Sequence, residues 1–195
     1  MPSPEKFHEI LEEYRVHEEI IAMIDSGFEG LVSKTIKKTK AEFFKQALEI
    51  MEDKLGIETT RTIFEANGCC KSGARLKASK EFSRINKDLC LEDKLEKIRK
   101  ASYMNMGSPV LNENGAIVIN AVNYVVDGHF ECACPSISRQ LVQPETKNYC
   151  YCCAGHFKFH YEIMLGCKLV TADIVSSPLN SKGNDPCVIK FVVVE

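Results

Sequence analysis

The stretch from Tyr151 to Leu165, YCCAGHFKFHYEIML, together with the Gly166 that follows it, decides the fold predicted for this chain. Its length and the glycine directly after it indicate a helix that ends at Gly166. Two runs rich in branched aliphatic residues come next, at about Lys168 to Ser176 and Cys187 to Val194, and a polar loop joins them. Such runs predict strands, and the short connection predicts that they pair in antiparallel fashion.

The sequence before this stretch has a helical pattern up to about Ala101. Ser3 can cap a first helix and Pro4 suits its first turn, while apolar residues at three-to-four spacing continue to a stop at Gly27. This pattern predicts one long first helix. The further helices are predicted from about Thr39 to Leu55, from Thr59 or Thr60 to Gly68, and, after a break at Cys69 to Gly73, through Leu76, Phe82, Ile85, Leu95 and Ile98.

The character of the chain changes near Gly107. Residues Ala116 to Val126 are rich in valine, isoleucine and asparagine, Asp127-Gly128 is a turn signal, and Phe130 to Ala133 can return as a partner strand, so a hairpin is predicted. The predicted fold class is therefore α+β. A helical N-terminal half, residues 1–106, packs on a small antiparallel sheet with a C-terminal helix and two terminal strands, residues 107–195, and the two regions form one compact unit.

The composition is that of an ordinary globular protein, because 45% of the 195 residues are hydrophobic and 27% are charged. A net charge of -2 provides no broad field for nucleic acid, so no nucleic-acid partner is expected.

The start lacks the apolar run of a signal peptide, and no stretch approaches the roughly 20 apolar residues that span a bilayer. We therefore expect no membrane association and a cytoplasmic location. In that reducing compartment, the ten cysteines indicate metal binding or thiol chemistry rather than disulfides.

Five of the ten cysteines lie between Cys132 and Cys153. Fifteen residues separate the pair Cys132-Ala133-Cys134 from the group Cys150-Tyr151-Cys152-Cys153. Thiolates are preferred ligands of zinc and iron, and two local pairs brought together can complete a four-coordinate shell. The sequence therefore predicts a zinc site, with iron as the alternative metal. The predicted ligands are Cys132, Cys134, Cys150 and Cys152, and the reserve ligands are Cys153, Cys69, Cys70 and His156.

The same residues allow a metal-free thiol enzyme. The start of a helix lowers the pKa of a cysteine through its exposed backbone N–H groups, and His156 follows Cys153 by three residues on nearly the same helix face. This hypothesis makes Cys153 or Cys152 the nucleophile and His156 its general base or orienting partner. Arg75, which follows the glycine break after Cys70, is the candidate residue for holding an anionic ligand or cofactor.

A third hypothesis makes the chain an interaction module whose helices pair with another chain, with a homodimer as one form. Buried free cysteines often act as small hydrophobic residues, and the isolated Cys90, Cys167 and Cys187 are assigned to the core on that basis.

The leading hypothesis is a cytoplasmic metal-binding protein with a pocket for a small molecule. The reaction of such a protein is left open, and hydrolysis of a small cyclic or sulfur-containing substrate is one candidate.

A set of short motifs follows in order through the last third of the chain. They are Glu131-Cys132-Ala133-Cys134-Pro135, Tyr149-Cys150-Tyr151-Cys152-Cys153-Ala154-Gly155-His156, Tyr161-Glu162, Leu165-Gly166, a strand ending Val175-Ser176-Ser177, and a last strand that begins at Cys187. This set resembles the 4-vinyl reductase-type domain and the related L-2-amino-thiazoline-4-carboxylic acid hydrolase-like family, over about residues 128–195.

The resemblance implies an α+β fold, a small-molecule pocket, and cysteines beside that pocket that can take a metal. In these families, hydrolysis of a cyclic thiazoline is one activity and ligand sensing is another, so the resemblance does not select a reaction. The resemblance adds one expectation about activity, which is hydrolysis of a small C–N or thiazoline-type substrate. The adjacent Cys152 and Cys153 depart from the family pattern and leave the choice of metal ligands open.

Overall fold

A computed structural model describes residues 3–32, 34–101, 106–122, 124–132, 134 and 144–194 of this chain. Between residues 3 and 101 it has six α-helices. They are α1 (Pro4–Glu13), α2 (Glu18–Asp25), α3 (Lys37–Leu55), α4 (Ile57–Ala66), α5 (Gly73–Ile85) and α6 (Leu91–Lys100). The second, third and later helices lie where the sequence predicted them, with ends that differ by a few residues.

The predicted single helix from Pro4 to Gly27 is wrong, because the chain breaks between α1 and α2. The start is as expected, since the Ser3 hydroxyl accepts a hydrogen bond from the backbone N–H of Lys6 at 3.2 Å. Arg15, however, has a left-handed φ of +54°, which an α-helix does not accommodate. His17 then starts α2, because its ring Nδ1 accepts a hydrogen bond from the N–H of Glu19 at 3.4 Å.

The strands and the last helix follow residue 106. They are β1 (Ser108–Leu111), β2 (Ile117–Val122), β3 (Tyr124–Val126), β4 (His129–Glu131), α7 (Tyr151–Leu165), β5 (Lys168–Ser176) and β6 (Cys187–Val194), with a short 3-10 helix (Lys147–Cys150) directly before α7. The predicted bounds of α7, β5 and β6 are confirmed. The left-handed Gly166, with φ of +74°, ends α7 as predicted.

Four strands form an antiparallel sheet in the order β1-β2-β6-β5, and β3 pairs with β4 in a separate two-stranded sheet. The α+β class is therefore confirmed. The turn at Asp127-Gly128 is confirmed too, with both residues at positive φ. The predicted strand over residues 116–126 is divided, because β2 pairs with β6 and β3 turns away to pair with β4. The predicted return strand ends at Glu131, and Ala133 lies outside the described residues.

The edge strand β1 was not predicted from the sequence. Its four residues include Pro109, which lacks a backbone N–H and weakens the strand signal. An edge strand tolerates proline because one of its sides has no partner strand. β1 pairs with β2 in a register that sets Pro109 opposite Ile119.

Helix α7 is the central element, since it is covered by helices on one side and by the sheet on the other. It contacts α4, α5 and α6 as well as β5. Its side chains are buried nearly all round, and Ala154, Phe157, Tyr161 and Met164 are at most 2% exposed. A helix that is apolar on every face is stable only inside a protein, which explains why α7 lies between the two layers.

Two glycines allow α4 to cross α7 at very short range. A Cβ atom added at Gly155 of α7 would lie 1.9 Å from the carbonyl oxygen of Glu65, near the end of α4. A Cβ added at Gly68 would lie 2.7 Å from the backbone of Gly155 and His156. Only glycine fits at both positions, so the loop that follows α4 is held directly against the first turns of α7.

Replacing Gly155 with alanine is expected to destabilise the protein, because α4 and α7 must then move apart. Overpacking costs roughly 1–3 kcal/mol or more, and the better helix propensity of alanine offsets about 1 kcal/mol. We expect the free energy of unfolding, measured in urea, to fall by about 2 kcal/mol. Gly30→Ala is the comparison, since Gly30 has a φ of +71° but no atom within 4 Å of an added Cβ. Gly30→Ala therefore measures the cost of a strained backbone alone, and a Gly155 variant that loses no stability would contradict the close crossing.

Candidate functional site

A cavity of about 250 Å³ lies where the loop after α4, the start of α7 and the sheets meet. Apart from cysteines, its lining residues are Arg75, His156 and the aromatic side chains of Tyr124, Tyr149 and Phe157. Eight of the ten cysteines line it: Cys69, Cys70, Cys132, Cys134, Cys150, Cys152, Cys153 and Cys187. The predicted convergence of strand and helix cysteines on one place is therefore present in the structure.

Four separate segments carry these thiols. Cys69 and Cys70 lie in the loop between α4 and α5, and the pair at 132 and 134 follows β4. The three cysteines at 150, 152 and 153 lie at the start of α7, and Cys187 is the first residue of β6. None of the ten cysteines is in a disulfide. Seven of these eight thiols, all but Cys70, form two groups according to which sulfurs interact most strongly.

The first group is the outer pair, which we define as Cys69 and Cys152. The Cys152 thiol donates a hydrogen bond to the Cys69 sulfur, and this bond is the main cause that lowers the pKa of Cys69 to about 5. The same bond raises the pKa of Cys152 well above its usual value, and burial raises it further. The Cys152 sulfur also lies 3.6 Å from the carbonyl oxygen of Asn67. The Cys152 S–H donates to this carbonyl as well, so two acceptors share one hydrogen.

The second group is the inner thiol group, which we define as Cys132, Cys134, Cys150, Cys153 and Cys187. The Cys153 thiol donates a hydrogen bond to the Cys187 sulfur, which raises the pKa of Cys153 and lowers that of Cys187. Burial raises the pKa of Cys132 to about 12, and burial likewise raises that of Cys150. Cys132, Cys150 and Cys153 are therefore neutral thiols at neutral pH, whereas the pKa of Cys187 is lowered by its neighbour.

The other contacts of the inner thiol group are with oxygen and backbone atoms. The Cys150 sulfur lies 3.0 Å from Oγ of Ser177, and the Cys134 sulfur lies 3.5 Å from the hydroxyl of Tyr149. The Cys132 sulfur accepts a hydrogen bond from the backbone N–H of Cys134 at 3.4 Å. Local partners thus satisfy each sulfur separately.

The four predicted zinc ligands line one cavity but do not form one coordination shell. Cys132, Cys134 and Cys150 belong to the inner thiol group, whereas Cys152 pairs with Cys69. Within the described part of the chain, no group of three or more histidine, cysteine, aspartate or glutamate side chains is arranged to hold a metal ion. The arrangement therefore does not fit a closed four-sulfur zinc shell, and the zinc and iron assignments stay predictions.

His156 and His160 direct their rings at backbone carbonyls of the loop after α4. Nδ1 of His156 donates to the carbonyl oxygen of Cys69 at 2.8 Å, and Nε2 of His160 donates to that of Cys70 at 3.0 Å. The remaining His156 nitrogen, Nε2, accepts from Nη1 of Arg75 at 3.2 Å. Burial lowers the pKa of His156 to about 4, so this ring is neutral at physiological pH.

These contacts give the two predicted catalytic residues, Cys153 and His156, roles other than those of a nucleophile and its base. His156 has a hydrogen-bond partner on each ring nitrogen, and neither partner is the Cys153 sulfur. Cys153 instead contacts Cys187. The geometry makes His156 an orienting residue for the loop that carries Cys69, and a base role toward Cys153 stays a prediction. Arg75 does line the cavity, as a ligand-binding residue would.

The sequence assigned three isolated cysteines to the core, and their outcomes differ. Cys90 is exposed, so that assignment is wrong: it lies between two surface helices, directly before α6. Cys167 is half-buried and Cys187 is buried. Cys187 nevertheless faces the cavity, where it contacts Cys153. Sequence reasoning missed this role because the residue lies 34 positions after Cys153 and no local motif marks it.

Comparisons with models of protein families, with characterised proteins by sequence and with solved structures find no match for this chain. The resemblance to the 4-vinyl reductase-type domain therefore stays a prediction. Among the described residues, no helix has the length and apolar character that a membrane span requires. The class defined by the fold and the site is an α+β protein with a thiol-lined cavity.

The alkylation rate of Cys69 by iodoacetamide is expected to change little between pH 7 and pH 9. A thiol with a pKa of about 5 is already thiolate across that range. Cys90 is the internal control: the backbone of Asp93 lowers its pKa, but the acidic side chains of Asp93 and Glu92 raise it on balance, so its rate should rise about tenfold per pH unit. Peptide mass spectrometry separates the two sites. Cys152→Ala removes the hydrogen bond and should restore the pH dependence of Cys69, whereas parallel profiles in the unaltered protein would contradict the outer pair.

Acid is expected to destabilise the protein through His156. Its pKa is about 4 when folded and near 6.5 when unfolded, so between these values the unfolded chain binds a proton that the folded protein does not. The free energy of unfolding therefore falls as the pH is lowered from 6.5 to 4, by up to about 3 kcal/mol from this residue. Urea unfolding of the protein and of His156→Gln across this range measures the effect. The glutamine amide can still donate to the Cys69 carbonyl but does not titrate, and identical slopes would refute the assignment.

Proposed function

We propose that this protein carries out thiol–disulfide exchange on a small molecule bound in the cavity, with Cys69 as the nucleophile and Cys152 as the resolving thiol. The observation that carries the proposal is that both thiols line the same cavity, Cys69 from the loop after α4 and Cys152 from the first turn of α7, and that the hydrogen bond between them dominates both pKa values. Exchange requires two thiols that are close enough to form a disulfide, and one of them must be accessible to the substrate.

The exposures of the two thiols suit these different roles. Cys69 is partly exposed, while Cys152 is only 4% exposed. A substrate disulfide in the cavity can therefore reach Cys69 first. The backbone of Cys69 is fixed by the hydrogen bond from His156, and the adjacent Cys70 by the one from His160. This fixed loop keeps the Cys69 sulfur beside its partner, which lowers the entropic cost of closing the disulfide.

The proposed reaction conserves atoms and electrons. The Cys69 thiolate attacks one sulfur of a substrate disulfide, whose S–S bond breaks and releases one thiolate that takes a proton from water. The Cys152 sulfur then loses its proton to solvent and attacks the Cys69 sulfur of the mixed disulfide. The second substrate thiol leaves, and a Cys69–Cys152 disulfide remains. The substrate gains two electrons from the protein, and a small-molecule thiol returns the pair to its reduced state.

The cavity lining indicates which substrates fit. Phe157, Tyr149 and Tyr124 provide apolar surface, and Arg75 provides a guanidinium group with N–H donors beyond the one used by His156. A volume of about 250 Å³ suits a small organic molecule. Small organic disulfides that carry a carboxylate combine these properties. The hydrolase and interaction-module hypotheses stay predictions, since no contact of the described residues tests them.

Treating the reduced protein with bis(carboxymethyl) disulfide is expected to produce one intramolecular disulfide between Cys69 and Cys152, identified by peptide mapping. Cys152→Ala should stop the reaction at a mixed disulfide on Cys69, because the resolving sulfur is gone. Cys69→Ser should abolish the reaction. Cys90→Ser is the matched control and should react like the unaltered protein, since Cys90 is exposed and does not line the cavity.

The neutral bis(2-hydroxyethyl) disulfide tests the role of Arg75. Arg75→Leu should slow the reaction of the carboxylate-bearing disulfide by about tenfold, the effect of losing roughly one hydrogen-bonded ion pair, and leave the neutral one nearly unchanged. The proposal fails if the disulfide forms between other cysteines, or if Cys69→Ser reacts as fast as Cys90→Ser.

A further inference from the structure

We infer that the inner thiol group is a binding site for a soft monovalent cation, Cu(I), with Cys153 and Cys187 as its two ligands. This inference concerns a different pair of sulfurs from the proposed exchange reaction and does not depend on that reaction. It rests on the donor atoms around the cavity, on their arrangement in pairs, and on the charge that a bound ion leaves in a buried site.

The donor set selects a soft ion. Among the described residues that line the cavity there is no aspartate or glutamate, so this part of the lining offers no suitable ligands for hard cations such as Mg²⁺ and Ca²⁺. The one lining histidine, His156, already uses both ring nitrogens, for Cys69 and Arg75. Sulfur is the donor that remains, and thiolate sulfur prefers Cu(I), zinc and iron–sulfur clusters.

The pairing of the sulfurs distinguishes between these metals. Cys153 on α7 and Cys187 on β6 line the same cavity from the helix and from the sheet, and the hydrogen bond between them is the largest influence on the pKa of each. Within the described residues no third or fourth donor completes a shell around a common point. Zinc and iron–sulfur clusters require such shells. Cu(I) forms stable complexes with only two thiolates, so the existing pair suits it with little rearrangement.

The charge of the complex favours the same ion. Two thiolates with Cu(I) carry a net charge of −1, whereas four thiolates with Zn²⁺ carry −2. Arg75 is the one cationic side chain among the described residues that line the cavity, and one such charge matches a complex of charge −1 better than one of −2. Burying charge without a compensating partner is costly, and the cost rises with the charge. On binding, each ligand sulfur that is still protonated loses its proton to solvent, two Cu–S bonds form and the copper keeps its oxidation state.

The test is an anaerobic titration of the full, reduced chain with Cu(I) in the presence of a chromogenic Cu(I) chelator. The Cys69→Ser/Cys152→Ala double variant serves as the reference protein, because it removes the outer pair as a competing site. We expect this variant to bind one Cu(I) ion per chain. Adding Cys153→Ser or Cys187→Ser should weaken binding by more than about 100-fold, since even outer-shell changes cost 10- to 100-fold. Adding Cys90→Ser is the matched control and should change nothing.

X-ray absorption at the copper edge provides an independent readout and should show two sulfur neighbours with no nitrogen. Circular dichroism establishes that each variant is folded, and the Cys187 variant tests the site by itself if Cys153→Ser does not fold. The inference is overturned if neither variant weakens binding more than the Cys90 control does. It is also overturned if copper has nitrogen ligands, or if one Zn²⁺ with four sulfur ligands binds and Cu(I) does not displace it. None of these results would affect disulfide exchange at Cys69.

Discussion

The close crossing of α4 and α7 is the constraint on which the arrangement of the site depends. At Gly155 the two backbones are so near that no side chain fits between them, and Gly68 continues the contact into the following loop. Helix packing normally separates axes by the length of the side chains between them. Removing those side chains brings the Cys69 loop against the first turn of α7. The outer pair exists because a loop thiol and a helix thiol meet at this crossing.

The histidines of α7 at this site hydrogen-bond to the loop backbone and not to the sulfurs. In α7 the four-residue spacing of His156 and His160 matches two successive carbonyl oxygens, those of Cys69 and Cys70, and each ring donates to one of them. Cys70 has a φ of +60°, a conformation that is unfavourable for a residue with a side chain. The two hydrogen bonds offset that cost. The spacing of His156 and His160 suggests metal or acid–base chemistry. In this protein it stabilises a strained loop beside the cavity.

Burial gives the two thiol groups different chemistry within one cavity. In a site of low polarity, a sulfur remains protonated unless a neighbour donates a hydrogen bond to its thiolate form. At Cys69 and Cys187 the hydrogen bond from a neighbouring thiol outweighs burial, whereas at Cys132 and Cys150 burial outweighs the hydrogen bonds from the Cys134 N–H and from Ser177. Each pair thus holds one sulfur that favours the thiolate and one that supplies the hydrogen. This division explains why clustering by itself does not produce a four-thiolate metal site.

The sequence by itself determined the elements whose signals are local. The bounds of α7, β5 and β6 and the turn at Asp127-Gly128 followed from apolar periodicity and from glycines at left-handed positions, which act within a few residues. The local spacing of the cysteines between Cys132 and Cys153 also predicted that these thiols lie at one site. The break at Arg15 and the edge strand β1 were missed, because apolar spacing continues through the break and Pro109 weakens the strand signal.

Only the tertiary structure decided which sulfurs meet. Cys152 and Cys153 are neighbours in sequence, yet successive helix positions point about 100° apart. One therefore contacts Cys69 from the helical layer, and the other contacts Cys187 from the sheet. These partners are 83 and 34 residues away along the chain. No local pattern encodes contacts across such separations, because the packing of α7 between two layers determines them.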